Sequence, residues 1–290
     1  MTTAHRTVSV TELIDFQDCH RKWALRHQMR LQPKKRPPNL ASGTVVHEAI
    51  GLTLASKEYL GVGHVPYMLP EKLLLQEFKT DEDSGLANSK KYLPGVKHAL
   101  EQCPDWLWES VWHVESPLSM PVPVPGLSEE LTLVGRPDLY RELTTSEGDP
   151  VIELVEIKTT NNDPLDYLLW NAQHRYYATM LQRGNPAALV RFRYLCLPTQ
   201  GKAKDHSPWV LTHRMYERTV EVLTRRCIAW SGANKEAALN EPNEANRCKW
   251  CDFNPICSTE IIGGSMESAI AADFNKRPKR GLDKPLTALI

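Results

Sequence analysis

Val151-Ile152-Glu153-Leu154-Val155-Glu156-Ile157-Lys158 reads as an apolar strand that closes on a carboxylate and an ammonium two residues apart. Side chains alternate faces along a strand, so Ile152, Leu154, Glu156 and Lys158 share one face and Glu153 points to the other. Burying unpaired charge is costly, and a cation beside the carboxylate supplies a reason for it. Upstream, Gly135-Arg136-Pro137-Asp138 ends a preceding strand, and the short turn at Ser146–Asp149 folds that strand back so that Asp138 faces Glu156. Two carboxylates converging on one point suit Mg²⁺ or Mn²⁺, hard cations that take oxygen ligands and keep several waters. Such an ion activates water against a phosphodiester. Gln173 and Tyr177, four residues apart and therefore on one helix face, are placed to line the same cleft.

Outward from this stretch, extended segments are expected at Val111–Met120, Glu130–Tyr140 and Pro150–Lys158, forming a meander. A helix follows from an N-cap at Asp163, with Pro164 at its first position, to about Gln182. Two further strands, Leu189–Leu197 and Trp209–His213, lead into a helix over Tyr216–Trp230. Toward the N-terminus, Ser9-Val10-Thr11-Glu12 is a capping box opening a helix or helix pair to about Met29. The charged Pro33–Pro38 stretch reads as a loop, and a helix is expected over Ala41–Tyr59 with His47 on it. Residues Thr80–Lys90 read as an exposed acidic loop before a short helix near Val96–Leu100.

Composition bounds the function classes. The 290 residues are 41% hydrophobic and 24% charged, which describes a folded, enzyme-sized body. No apolar run is long enough to span a bilayer, and Met1–Arg6 lacks an apolar signal core, so a cytoplasmic protein is expected. Formal net charge is +0, so nucleic acid must be met by a local basic surface rather than a global field. Seven cysteines in a reducing compartment are read as metal ligands where clustered, as at Cys248, Cys251 and Cys257. Cys103, Cys196 and Cys227 lie in or beside apolar runs and are given no role.

The ordered set Gly135-x-x-Asp138, Glu156-x-Lys158 and Gln173-x-x-x-Tyr177 resembles RecB-like nucleases of the PD-(D/E)xK superfamily. The resemblance implies an α/β, restriction-endonuclease-like core: a central mixed β-sheet flanked by helices. It implies metal ligands at Asp138, Glu156, the Ile157 carbonyl and His47, whose context Gly43-Thr44-Val45-Val46-His47-Glu48 is similar to an upstream helical histidine of that family. Lys158 would position the attacking water or stabilise the pentavalent phosphorus, and Gln173 and Tyr177 would hold phosphate or orient Lys158.

Three late thiolates need a fourth ligand. Cys19, in Phe16-Gln17-Asp18-Cys19-His20-Arg21-Lys22-Trp23, resembles the single early cysteine of iron-sulfur RecB-like nucleases, a group that includes the AddB nuclease domain and the CRISPR-associated exonuclease "Cas four". The implied four-iron four-sulfur (4Fe-4S) cluster would join N- and C-terminal segments as a structural clasp, with Zn²⁺ in the same four thiolates as the alternative. The implied organisation is a nuclease domain over 1–262 and a flexible basic tail over 263–290.

The expected activity is a DNA exonuclease on single strands or duplex ends, in recombination, repair or CRISPR adaptation. Alternatives are a structure-specific endonuclease or a non-catalytic DNA-binding or assembly module. No Walker run is present, so unwinding would need a helicase or recombination partner, and a homo-oligomer is compatible with the sequence. Trp170, Tyr176 and Tyr177 are candidates to stack bases, and Arg136, Arg175, Arg191 and Arg193 to neutralise phosphates.

Overall fold

The structure is a computed structural model that describes residues 5–34, 38–60, 69–77, 85–126, 130–161, 171–241, 248–249 and 251–277. Its first half runs β1 (His5–Ser9), α1 (Val10–Asp18), α2 (His20–Trp23), a π-helical turn (Ala24–Gln28), β2 (Leu31–Pro33), α3 (Pro38–Leu60), α4 (Leu69–Glu77), α5 (Gly85–Glu101) and α6 (Asp105–Trp108). Strands β3 (His113–Val114), β4 (Leu118–Val122), β5 (Glu130–Gly135), β6 (Leu139–Thr144) and β7 (Pro150–Lys158) follow. The second half comprises α7 (Ala172–Gly184), β8 (Leu189–Cys196), β9 (Lys204–Val210), α8 (His213–Ser231), α9 (Lys235–Leu239), α10 (Asn254–Ile261), α11 (Met266–Asp273) and β10 (Phe274–Lys276). No described helix is long and apolar enough to cross a membrane.

The chain divides into two compact units. One is built from residues Pro37–Leu118 and Gly135–Thr219 and carries a mixed sheet of order β3-β6-β7-β8-β9. In it β6 and β7 are antiparallel across the turn at residues 145–149, and β7 runs parallel to β8. Every residue of β7 from Val151 to Ile157 is buried, as a central strand covered on both faces requires. Helix α3 places Ala41, Val45, Val46, Ala49 and Ile50 at helical spacing, in one apolar cluster with Leu139, Val155, Ile157 and Leu195 of the sheet. Each such valine or isoleucine contributes about 1.5–3 kcal/mol over leaving it exposed.

The other unit, Met1–Arg36, Ser119–Val134 and Val220–Leu282, holds a small sheet of order β1-β5-β4 and the pair β10-β2. Here the capping motif forms by half: Ser9 Oγ accepts the Glu12 N–H at 3.0 Å. The Glu12 carboxylate instead takes the indole N–H groups of Trp23 at 3.0 Å and Trp230 at 3.2 Å.

Several expectations are corrected. The meander does not form, because β5 pairs with β1 and β4 in a separate sheet while β6 and β7 belong to the five-stranded sheet. The 263–290 segment is not wholly a loose tail: α11 and β10 fold, β10 pairs with β2, and Ala269 and Phe274 are buried beside Leu25, Leu31, Phe253 and Ile256. Residues 278–290 lie outside the described residues. Helix α5 begins at Gly85, well before the short helix expected near Val96, and α4 was not anticipated. Asn171, extended at ψ 115°, caps α7, and the expected cap at Asp163 lies outside the described residues. Strand β9 lies earlier than expected, so that His213 opens α8.

Asp15 is the ionic centre of the N-terminal helices. Its carboxylate meets Lys22 at 2.6 Å, Arg26 at 2.9 Å and His27 at 2.9 Å while almost wholly buried. Burial alone would raise its pKa; the His27 hydrogen bond and the Arg26 and Lys22 charges overcome this and hold it far below the usual carboxylate range. A depressed folded pKa stabilises the fold fully above the unfolded value near 3.9, and that stability is lost as pH falls through the folded value. Asp15→Asn should therefore destabilise at pH 7 by about 3 kcal/mol, because it leaves buried cations uncompensated. Thermal melts should show the gap to wild type shrinking as pH drops below about 4; a gap independent of pH would refute the ionic account.

Candidate active site

The β6–β7 register sets the site. Leu139 pairs with Val155, so Asp138, one residue before β6, arrives beside Glu156. The Ile157 N–H donates to Asp138 Oδ2 at 2.8 Å, and the Glu115 N–H donates to the Asp138 carbonyl at 3.0 Å. From α3, His47 Nδ1 stands 3.2 Å from Asp138 Oδ1. Lys158 Nζ donates to Glu156 Oε1 at 2.7 Å. On α7, Gln173 Nε2 donates to the Tyr177 hydroxyl at 3.2 Å, and that hydroxyl also receives the Arg136 backbone N–H. The tertiary structure thus brings Asp138, Glu156, Lys158, His47 and Tyr177 into one electrostatic neighbourhood.

Glu156 is the strained member. It is 3% exposed, and its Oε2 has no hydrogen-bond partner among the described residues. Burial raises its pKa, the Asp138 charge raises it further, and the Lys158 ammonium only partly offsets them. Asp138 shifts the opposite way: burial opposes ionisation, but His47, Lys158 and the Ile157 amide hold its pKa below the usual value. For Lys158, burial is outweighed by Glu156 and Asp138, so its pKa is raised and it remains an ammonium. Burial pushes the Tyr177 phenol above its ordinary range, so it stays protonated.

The donor set fits a hard divalent cation: two carboxylates that repel one another, one with an unsatisfied oxygen. Among the described residues no three His, Cys, Asp or Glu side chains already face one another in metal-holding geometry. In the site described here, His47 engages Asp138 and Lys158 engages Glu156.

Other sequence candidates fall elsewhere. Tyr176 is 1% exposed and packs in the core, so it cannot stack a base. Arg193 binds Glu153 at 3.0 Å and Asp205 at 2.9 Å, and Arg191 pairs with Glu153 at 3.4 Å, so both are engaged by a carboxylate rather than presented to phosphate. Arg175 is half-buried on α7, and Trp170 lies outside the described residues. Cys103 and Cys227 have thiols pushed up to about 12 by burial, and Cys196 is buried, as inert core thiols are.

Two residues near the site carried no sequence signal. Glu115 holds φ 41°, a strained left-handed value for a residue with a side chain, while its amide anchors Asp138. His174 is 1% exposed, lies 4.2 Å from the Tyr194 ring and 5.0 Å from Phe192, and neither ring nitrogen has a partner among the described residues. Burial, aided by the Lys158 charge, pushes its pKa down to about 3, so it is neutral at physiological pH.

The four candidate cluster cysteines lie in the other unit. Cys19 sits extended between α1 and α2, where its sulfur accepts the Lys22 N–H at 3.4 Å. Cys251 N–H donates to the Cys248 carbonyl at 3.1 Å. Burial raises the Cys257 thiol, Arg21 opposes, and Cys251, Cys19 and Cys248 each raise it further, while among the described residues the cysteines do not form a metal-holding group.

A carboxyl whose folded pKa exceeds its unfolded value penalises the fold when ionised. The penalty is absent below the ordinary glutamate pKa of about 4.3 and complete once pH passes the folded value. Glu156→Gln keeps an acceptor for Lys158 and removes the charge. It should melt above wild type by about 2–4 °C at pH 8 without divalent cations and match it at pH 4; a variant melting below wild type at pH 8 would show the carboxylate to be net stabilising.

Among solved structures the chain is similar to SSO0001, at 16% identity over 89% of this chain and 88% of that one, with a TM-score of 0.35. It is also similar to a Eubacterium rectale protein provisionally described as an exonuclease, at 11% identity over 90% and 94% of the two chains, with a TM-score of 0.49. No curated protein matches it. The sequence profile of the PD-(D/E)XK nuclease superfamily matches residues 7–258, a span that contains His47, Asp138, Glu156, Lys158, Gln173 and Tyr177. Together with the mixed sheet and its helical cover, that match makes the chain a member of the PD-(D/E)XK nuclease superfamily.

Proposed function

We propose that this nuclease is a Mg²⁺- or Mn²⁺-dependent deoxyribonuclease that removes nucleotides from single-stranded DNA or duplex ends. The observation that carries the reading is the unsatisfied Oε2 of buried Glu156 beside the Asp138 carboxylate, with an ammonium alongside. Asp138, Glu156 and the Ile157 carbonyl would hold the cation, with His47 as the further ligand. A bound divalent ion lowers the pKa of water and neutralises charge on a phosphodiester.

The chain's own residues define the rest. Lys158 is held as an ammonium, so it cannot accept a proton from water and acts as a donor toward oxygen developing negative charge. Tyr177, protonated and fixed by Gln173 and the Arg136 amide, keeps its hydroxyl at a set position near Glu156 and Lys158. His174, neutral and buried, adds no second positive charge beside Lys158.

The same proposal places a four-iron four-sulfur cluster, or Zn²⁺, on Cys19, Cys248, Cys251 and Cys257. Four soft donors suit either metal. Burial raises the Cys251 and Cys257 thiols, so loading must displace thiol protons and is favoured at higher pH. Recombination, repair or CRISPR adaptation remains the context suggested by the RecB-like motifs, with any unwinding supplied by a separate helicase.

Incubating purified protein with end-labelled single-stranded DNA and Mn²⁺ should give cleavage that falls at least about 10²-fold in Asp138→Ala and in Lys158→Ala. Wild-type cleavage no greater than that of these variants would favour a non-catalytic DNA-binding module. Elemental analysis should find iron, with visible absorbance, and Cys19→Ser should lose both; zinc without iron would select the alternative, and neither metal would remove the clasp from the proposal.

A further inference from the structure

Outside the carboxylate site, α5 and the turn between β8 and β9 enclose a groove of about 670 Å³, within the size range of ligand clefts. It is lined by Lys91, Tyr92 and His98 on one side and Thr199, Gln200 and Gly201 on the other, and no carboxylate is among its lining residues. The walls are tied together. His98 Nε2 stands 2.6 Å from the Gly201 carbonyl, and α5 comes so near the turn at Gly95 that a Cβ there would stand 3.0 Å from Thr199 Cβ. Gly201 holds φ 93°, a conformation that glycine adopts freely.

The groove is also tied to the strand that carries Glu156 and Lys158. Lys158 pairs with Cys196 in the β7–β8 register, and the Leu197 N–H donates to the Lys158 carbonyl at 2.8 Å. Three residues past Lys158, the Asn161 side-chain oxygen accepts the Thr199 N–H at 2.9 Å, its hydroxyl at 3.1 Å and the Gln200 N–H at 3.3 Å. Asn161 thereby fastens the Thr199–Gln200 wall of the groove to the segment that follows β7.

We infer that this groove is a binding track for a single-stranded polynucleotide whose reacting phosphodiester lies at Glu156 and Lys158, an inference that rests on the nuclease reading and specifies where its substrate runs. Lys91 is exposed and positive, with its ammonium over the Tyr92 ring at 5.4 Å from the centroid, so the rim of the groove presents a cation to a backbone phosphate. A concave track suits one strand, whose bases are free to turn inward, rather than the convex surface of a duplex. With zero net charge on the chain, a polyanion must be met locally, and the groove offers Lys91 with no carboxylate among its lining residues.

The test is fluorescence anisotropy of a labelled oligothymidylate with full-length protein in EDTA, so that binding is read apart from cleavage. Lys91→Glu/Gln200→Glu alters two exposed side chains and should weaken binding about tenfold, with a shallower dependence of affinity on salt. Lys235→Glu, an equal change of sign on exposed α9, should bind as wild type. The track is overturned if wild type does not bind the oligomer, if the double variant binds as tightly as wild type, if Lys235→Glu weakens binding as much, or if a duplex of the same length competes equally. Absent Mn²⁺-dependent cleavage, by contrast, would sink the nuclease reading and leave the binding result to be judged by itself.

Discussion

The pairing of β6 with β7 is the constraint on which the site depends. One residue of slip would turn Asp138 away from Glu156, since facing alternates at every position. The register is held from both sides: Leu139, Val155 and Ile157 are locked in the apolar cluster under α3, and the Ile157 amide fastens Asp138 directly. Packing of ordinary aliphatic residues is thus what keeps two carboxylates together against their repulsion. His47 reaches the site for the same reason, because the α3 positions on either side of it, Val46 and Ala49, are anchored in that cluster.

Strand β7 carries two buried carboxylates with opposite chemistry. Glu153 is 0% exposed and is surrounded by Arg141, Arg191 and Arg193; Arg141 in turn lies 4.4 Å over Trp112 and Arg193 4.6 Å over Trp106. That charge is compensated, and its partners are fixed by aromatic faces. Glu156, three residues on, has a single ammonium and an unsatisfied oxygen. Burial alone does not separate a structural carboxylate from a functional one; the completeness of its partners does. By that measure Glu153 belongs to the scaffold, and Glu156 is where the fold keeps an unmet electrostatic demand.

The N-terminal helices solve a similar problem differently. Asp15 gathers Lys22, Arg26 and His27, and Arg26 also reaches Asp252, next to Cys251. Arg21 pairs with Glu260 near Cys257. The cysteine-bearing segments are therefore held to one another by ion pairs within their own unit. Such contacts bring distant parts of the sequence together without requiring the thiols to do so.

Much of this was legible from local pattern. The eight residues from Val151 to Lys158, the turn after β6, the helix carrying His47 and the Gln173–Tyr177 spacing all follow from strand alternation and helical periodicity, which depend on near neighbours. The assignment of β4 and β5 to a separate sheet, the folding of 266–276 against β2, the capture of Arg191 and Arg193 by Glu153, and the orphaned nitrogens of His174 did not follow. Each depends on a partner distant in the chain, and residue type does not reveal which partner arrives. The sequence by itself determined which carboxylates and which amine stand at the end of the central strand. Only the tertiary structure decided which charges were cancelled and which were left for chemistry, because compensation is a property of distances across the fold.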